Sequence, residues 1–341
     1  MRRTKRSGFG GLTGGASPTI PVIRIESDAA TRPKPLIWGT GRVTAALALI
    51  AVCGISWSPD AISPVLLGQR PSYGPAKISA TPNQAAIDRM IWVPGLDAGW
   101  DPQGLALAGG KLYVSAYRSR GAWQFRGPCR VFRVDPETGR ETGHFDVPPP
   151  CGHSGGLAYA GGKLFVADTH TLFEFDLDKV FGQADAKYRA FPLGPGLTGA
   201  LAASDKGAIW IGDYQEDRSG KLIKFDLAAI SSLKDRAVLN IDMASAVVPI
   251  PTYGQGGAFD PSGKLWVSRS DIGWGSLDKL DGATGRFATR YPLPGGIEGI
   301  AYDPRGQLWC VSEAGARHLP LRYPFFPVIF RLDPARLVPG N

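Results

Sequence analysis

A motif of small residue, Gly, apolar stretch, Gly-Lys or its equivalent and an aromatic strand recurs five times along this chain. The copies start at Gln103-Gly104-Leu105, Gly155-Gly156-Leu157, Thr198-Gly199-Ala200, Gln255-Gly256-Gly257 and Glu298-Gly299-Ile300. They run into Leu112-Tyr113-Val114, Leu164-Phe165-Val166, Ile209-Trp210-Ile211, Leu265-Trp266-Val267 and Leu308-Trp309-Cys310. Start-to-start spacings are 52, 43, 57 and 43 residues. Periods of this size, each holding several short strands, predict an all-β propeller of five four-stranded blades.

Within each repeat we name four antiparallel strands A to D from the channel outward. Strand C is expected at 130–135 (RVFRVD), 172–177 (LFEFDL), 221–227 (KLIKFDL), 276–281 (SLDKLD) and 328–333 (VIFRLD), with period-2 alternation in the clearer copies. Strand D is expected at 141–147, 187–193, 236–243 and 285–293. The fifth repeat ends before a strand D. A substitute lies at the other end of the chain, because residues 88–95 (DRMIWVPG) match 290–295 (RYPLPG). Pairing this N-terminal strand into the last blade closes the ring and removes open edges.

Residues 1–42 carry eight Lys/Arg against two acids, which accounts for most of the net charge of +8. The part expected to fold is nearly neutral, and nucleic-acid binding is set aside. Residues 43–57 (VTAALALIAVCGISW) form an uncharged apolar run after this basic, disordered leader. A membrane signal anchor, the hydrophobic part of a cleaved signal and a buried core element are the three readings. Either of the first two places the domain outside the cytoplasm, membrane-anchored or secreted. Residues 58–84 hold five prolines and read as a linker, followed by the propeller at 85–341. A monomer is expected.

The residues entering strand A and leaving strand B converge on one mouth of a propeller channel. This places Glu298, Asp168, Asp213, Glu313 and Arg269 there, with Gln103, Gln255 and Tyr214 as neutral hydrogen-bonding groups. Glu298, Asp168 and Asp213 are candidates both for general acid–base catalysis and for Ca²⁺ ligation through oxygen. His153 is the candidate proton carrier, ahead of His170, of His318 in the long last-blade loop, and of His144 on an outer strand. Long loops add Trp123, Phe125, Trp274, Tyr323, Phe325 and Phe326 as an expected aromatic rim, with Trp123 and Trp274 as candidate ligand contacts. Cys129 precedes strand C of the first blade and Cys151 follows its strand D, so the two are expected to form a disulfide. Cys310 and Cys53 are expected to stay unpaired.

The Gly-leading strand A and the Gly-Lys-Leu-Trp-Val strand B (Gly263 to Val267) resemble gluconolactonase-like (regucalcin-like), streptogramin-lyase-like and NHL-type propellers. The five-fold count is closer to plant-type glutaminyl cyclotransferases. The gluconolactonase-like resemblance implies metal-ligating Glu, Asn or Asp residues just before the strand A glycine. Here those positions hold Gln103, Gly155, Thr198, Gln255 and Glu298, so only Glu298 carries that role over. Two functional readings follow. One is a propeller that binds a small molecule or protein at its mouth without catalysis. The other is a Ca²⁺-assisted hydrolase of lactonase or esterase type, or a lyase, centred on Glu298.

Overall fold

The repeat's glycines, lysines and aspartates each have a mechanical role in the computed structural model, which describes residues 64–119, 121, 125–182, 186–271, 273–318 and 324–340. Blade 1 is β3 (Trp100–Ala108), β4 (Lys111–Arg118), β5 (Cys129–Val134) and β6 (Glu141–Val147). Blade 2 is β7 (Gly156–Ala160), β8 (Lys163–Asp168), β9 (Thr171–Asp176) and β10 (Tyr188–Pro192). Blade 3 is β11 (Leu201–Ser204), β12 (Ala208–Gly212), β13 (Gly220–Asp226) and β14 (Ala246–Ile250). Blade 4 is β15 (Gly254–Phe259), β16 (Leu265–Asp271), β17 (Trp274–Leu280) and β18 (Phe287–Leu293). Blade 5 combines β19 (Ile297–Tyr302), β20 (Leu308–Ser312) and β21 (Val328–Leu332) with β2 (Ile87–Trp92), which pairs antiparallel to β21. The N-terminal strand therefore closes a five-bladed β-propeller.

Neighbouring innermost strands pack so closely that side chains are excluded. A Cβ on Gly299 of β19 would lie 2.3 Å from the backbone nitrogen of Leu105, and one on Gly156 would lie 2.5 Å from that of Ala202. Ser115 Oγ donates to Ser154 O at 2.8 Å and Ser268 Oγ to Glu298 O at 2.5 Å, tying blade 1 to blade 2 and blade 4 to blade 5. The lysine opening strand B pairs with the aspartate near the end of strand C, as in Lys163–Asp176 and Lys264–Asp281, each at 3.0 Å, and in Lys111–Asp135. Asp260 anchors the turn between strands A and B by accepting from the Ser262 and Lys264 amides and from the Trp266 indole. These contacts make the repeat's polar residues structural. Three strand prolines, Pro192, Pro249 and Pro292, fall on outermost strands, and Pro102 falls at the bulge of innermost strand β3, edge positions where a missing N–H breaks no ladder.

Two segments differ from the sequence reading. Strand D of blade 3 is β14, not 236–243. After the short helix α1 (Leu177–Val180) of blade 2, blade 3 carries its own, α2 (Leu227–Ser232), and the following chain turns back on blade 2: Leu239 is fully buried and its amide donates to Pro192 O at 2.9 Å. An apolar residue that fills an interblade seam looks, in sequence, like one in a strand. The second difference is the Pro-rich stretch, which from residue 64 lies on the ring. β1 (Val65–Leu67) adds in parallel to β2, Ser72 donates twice to Asp97, and Asn83 bonds to Pro292 and Val338.

The apolar run at 43–57 lies outside the described residues. No described helix is long and apolar enough to cross a membrane. Cys129 and Cys151 form the expected disulfide, with a Cα–Cα distance of 5.9 Å, and Cys310 is free and buried.

Candidate active site

Three of the five innermost strands enter the channel through a β-bulge. The register slips between Pro102 and Leu105 in β3, between Gly254 and Gly256 in β15, and between Ile297 and Ile300 in β19. The residues in these slips include Gln103, Gln255 and Glu298, the three polar strand A entries with long side chains. A bulge re-aims a side chain out of the pleat. Strands β7 and β11 keep regular register, and their entries carry Gly155 and Thr198.

The richest chemistry gathers where blade 5 meets blade 1. Glu298 is 3% exposed, and burial followed by the charge of Glu313 raises its pKa far above the usual carboxyl range. Glu313, which follows β20, is also pushed up, to about 7, chiefly by burial. The charge of His318 and a 2.9 Å hydrogen bond from Gln103 Nε2 to Glu313 Oε2 work in the other direction, favouring ionised Glu313. Two adjacent carboxyls that cannot both be charged titrate as a pair. The amide donor marks Glu313 as the half that carries the charge and leaves the proton on Glu298.

A second layer backs this pair. His318 Nδ1 sits 2.9 Å from Asp101 Oδ1, an ion pair between fully enclosed side chains whose ring N–H is off the ideal line. Burial lowers the His318 pKa, but the Asp101 contact and the charges of Asp101 and Glu313 outweigh it, and the net shift is upward. Burial likewise raises the Asp101 carboxyl, with His318 offsetting part of that rise. His318 Nε2 lies 3.3 Å from the Tyr117 hydroxyl. Tyr117, fully buried and held protonated by burial and by nearby Glu313, Asp101 and Glu298, stacks on His153 at 4.8 Å.

His153 stands beside this layer. Its Nδ1–H donates to Phe125 O at 2.6 Å, and burial lowers its pKa, so the neutral ring keeps a lone pair on Nε2.

Asp168 and Asp213 serve their own loops. Asp168 accepts from the Gly152 and His153 amides at 2.9 and 2.7 Å, while Asp213 accepts from the Lys221 amide and, at 2.9 Å, from Gln215 Nε2. Among the described residues Glu298, Asp168 and Asp213 do not bring ligand atoms together around one ion. Asp168 does approach Cys129 and Cys151, but those sulfurs are bonded to each other. The expected Ca²⁺ donor set is therefore not assembled.

The remaining candidates form a separate wall at blades 3 and 4. Arg269 donates to Thr252 O and Oγ1 at 2.7 and 2.9 Å and lies 3.5 Å from buried Asp278, which also takes two bonds from Arg290. Arg269 covers Trp274, whose ring meets Tyr253 edge-on at 5.3 Å, and Tyr253 in turn meets Tyr214 at 6.0 Å. Gln255 is half-buried and makes no side-chain hydrogen bond among the described residues. Trp123 and Tyr323 lie outside the described residues. Phe325 and Phe326 are not on a rim: they are 2% and 1% exposed, with Phe325 against Trp92 and Tyr73 and Phe326 against Phe330. At the far end, the channel narrows to a cavity of about 90 Å³ lined by Leu107, Tyr159, Phe259 and Tyr302.

No family model and no curated protein matches this chain in sequence. Similar solved structures include Myxococcus xanthus glutaminyl cyclase, at 12% identity and TM-score 0.49, covering 82% of this chain and 100% of that one. A luciferin-regenerating enzyme follows at 13% identity and TM-score 0.43, covering 70% and 92%. The PQQ-bound aldose sugar dehydrogenase of Streptomyces coelicolor has 15% identity and TM-score 0.33, covering 76% and 99%. At these identities and scores the likeness decides nothing about activity, and the gluconolactonase-like and NHL-type resemblance rests on the repeat pattern alone. The chain is a five-bladed β-propeller whose last blade carries a buried Glu298 and a half-buried Glu313 where it meets the first.

Proposed function

We propose that the mouth is a proton-transfer site of an extracytoplasmic enzyme, a hydrolase or lyase, in which Glu298 is the general acid and Glu313 the general base. The adjacency of these two glutamates carries the reading. Both have raised pKa values, and an amide donor, Gln103, singles out the ionised partner. Catalytic acids and bases work best when burial and neighbours hold one group neutral and its partner ionised at the operating pH. Solvated rim acids of a passive docking mouth have no such arrangement.

In this scheme Glu313 takes a proton from substrate or water while Glu298 delivers one to the departing group, and the pair returns to its starting state by moving one proton across. His318 is a positioning residue: its charge, fixed by Asp101, holds Glu313 anionic until the substrate arrives. The Tyr253–Trp274 wall presents apolar surface across the mouth to orient a small molecule. No step runs through Ca²⁺. The disulfide supports a location outside the cytoplasm, with residues 43–57 as the membrane anchor or secretion signal.

Aryl-ester and lactone probes offered to the full-length protein test this. Turnover is expected to fall about 100-fold or more in both Glu298→Gln and Glu313→Gln. Turnover by Glu298→Gln at the wild-type rate would exclude Glu298 as the acid.

A further inference from the structure

Between the end of β4 and the start of β5 lies an open cavity of about 670 Å³ with an unbalanced charge. Three arginines line it, Arg118, Arg126 and Arg130, against one carboxylate, Asp146. Arg130 is satisfied: it donates to both Asp146 oxygens, at 2.7 and 3.2 Å, and covers Trp100 at 4.6 Å. Arg118 Nε donates to Ala98 O at 2.9 Å, and its terminal nitrogens meet no acceptor among the described residues. Arg126 has neither a carboxylate nor a hydrogen-bond acceptor among the described residues.

The position of Arg126 is nevertheless defined. Its guanidinium lies over Gly152, where a Cβ would come within 3.0 Å of Nε and Nη2. Gly152 is held by Asp168 and by the adjacent Cys129–Cys151 disulfide, and Gly127 N–H donates to Gly152 O at 2.8 Å, so the floor is tied at several points. Gly152 also joins this cavity to the acid site, since the next residue, His153, stacks on Tyr117. Two guanidinium groups whose terminal nitrogens have no acceptor among the described residues, set on a braced concave wall, match the planar oxygens of a carboxylate or phosphate.

We propose that Arg118 and Arg126 form an oxyanion-binding subsite that holds a carboxylate or phosphate group of the ligand while its reacting part meets Glu298 and Glu313. The role given to the glutamates comes from the proposed function; the subsite itself stands on the cavity. It favours anionic small molecules over neutral or cationic ones.

Calorimetric titration of the full-length protein with inorganic phosphate and with succinate, at constant ionic strength, tests the subsite and tells the two oxyanions apart. At least one is expected to bind, with affinity falling about tenfold or more in Arg126→Gln and further in the Arg118→Gln, Arg126→Gln double variant. Arg126→Lys should retain part of the affinity. Both arginines are exposed, so unfolding midpoints should stay at the wild-type value and certify the fold. Glu298→Gln should bind the anion as the wild type does, so a failed acid–base reading and a failed subsite give different results. No binding of either anion to the wild-type chain, or equal binding by Arg126→Gln, overturns the proposal.

Discussion

Replacing Glu313 with Gln should make the protein more stable at alkaline pH, the reverse of what loss of a useful surface charge would do. A carboxyl whose pKa rises on folding binds its proton more tightly in the native state. Its contribution is fully present below the unfolded value near 4.5 and is lost as pH climbs through the folded value of about 7. At about 1.4 kcal/mol per pKa unit, that loss is about 3 kcal/mol by pH 8. The figure is a ceiling, because part of Glu313 reaches solvent. Glu313→Gln keeps the shape and the contact with Gln103 but cannot ionise, and it also relieves Glu298 of the charge that raises its pKa. The raised pKa of His318 slopes the same way, and the depressed pKa of His153 slopes the other way. Only the difference between wild type and variant therefore isolates the pair. Denaturant unfolding at intervals from pH 4 to 8 should give equal stabilities at pH 4 and a variant more stable by about 3 kcal/mol at pH 8, or roughly 5 °C in Tm for a domain of this size. Parallel curves, or a variant less stable at pH 8, would refute the reasoning.

Two further outcomes test the frame that holds the pair. Gly299→Ala places a methyl 2.3 Å from the Leu105 nitrogen, and since backbone on both sides has little freedom to yield, a stability loss of about 3 kcal/mol is expected by chemical denaturation. Reducing Cys129–Cys151, which closes a loop with a sequence separation of 22, should cost about 3 kcal/mol. An unchanged unfolding midpoint after complete reduction would show that the loop is held by its hydrogen bonds alone.

The fold was legible because its evidence is local and repeated. Glycines at strand A recur in every blade and report the close approach of neighbouring innermost strands, while Gly-Lys at strand B and Asp at the end of strand C report an ion pair made in blades 1, 2 and 4. Closure by the N-terminal strand was legible for the same reason, through the match of 88–95 to 290–295. The site was only half legible. Glu298 and Gln103 stood out as unusual entries at aligned positions, and Glu313 fell at an aligned strand exit. Asp101 precedes the segment that aligns between copies, and the bulge that follows it leaves no mark in the residue pattern. His318 lies in the long last-blade loop, and its ion pair joins residues 217 positions apart in sequence that only ring closure brings together. Asp168 and Asp213 looked equivalent to Glu298 because sequence does not show whether an acid faces the channel or its own loop amides. Phe325 and Phe326 misled for a related reason: an apolar loop residue suits a rim or a core equally, and here the chain at 64–84 covers it. Gly74 lies so close to the Phe325 ring that a Cβ would overlap it at 1.8 Å.

The central claim, one proton shared by Glu298 and Glu313 at neutral pH, is open to direct observation by infrared difference spectroscopy across a pH titration of the full-length protein. The protonated carboxyl stretch should persist at pH 7 in the wild type and vanish in Glu298→Gln once Glu313 has ionised. A wild-type spectrum in which both carboxyls are already ionised at pH 6 would contradict the account.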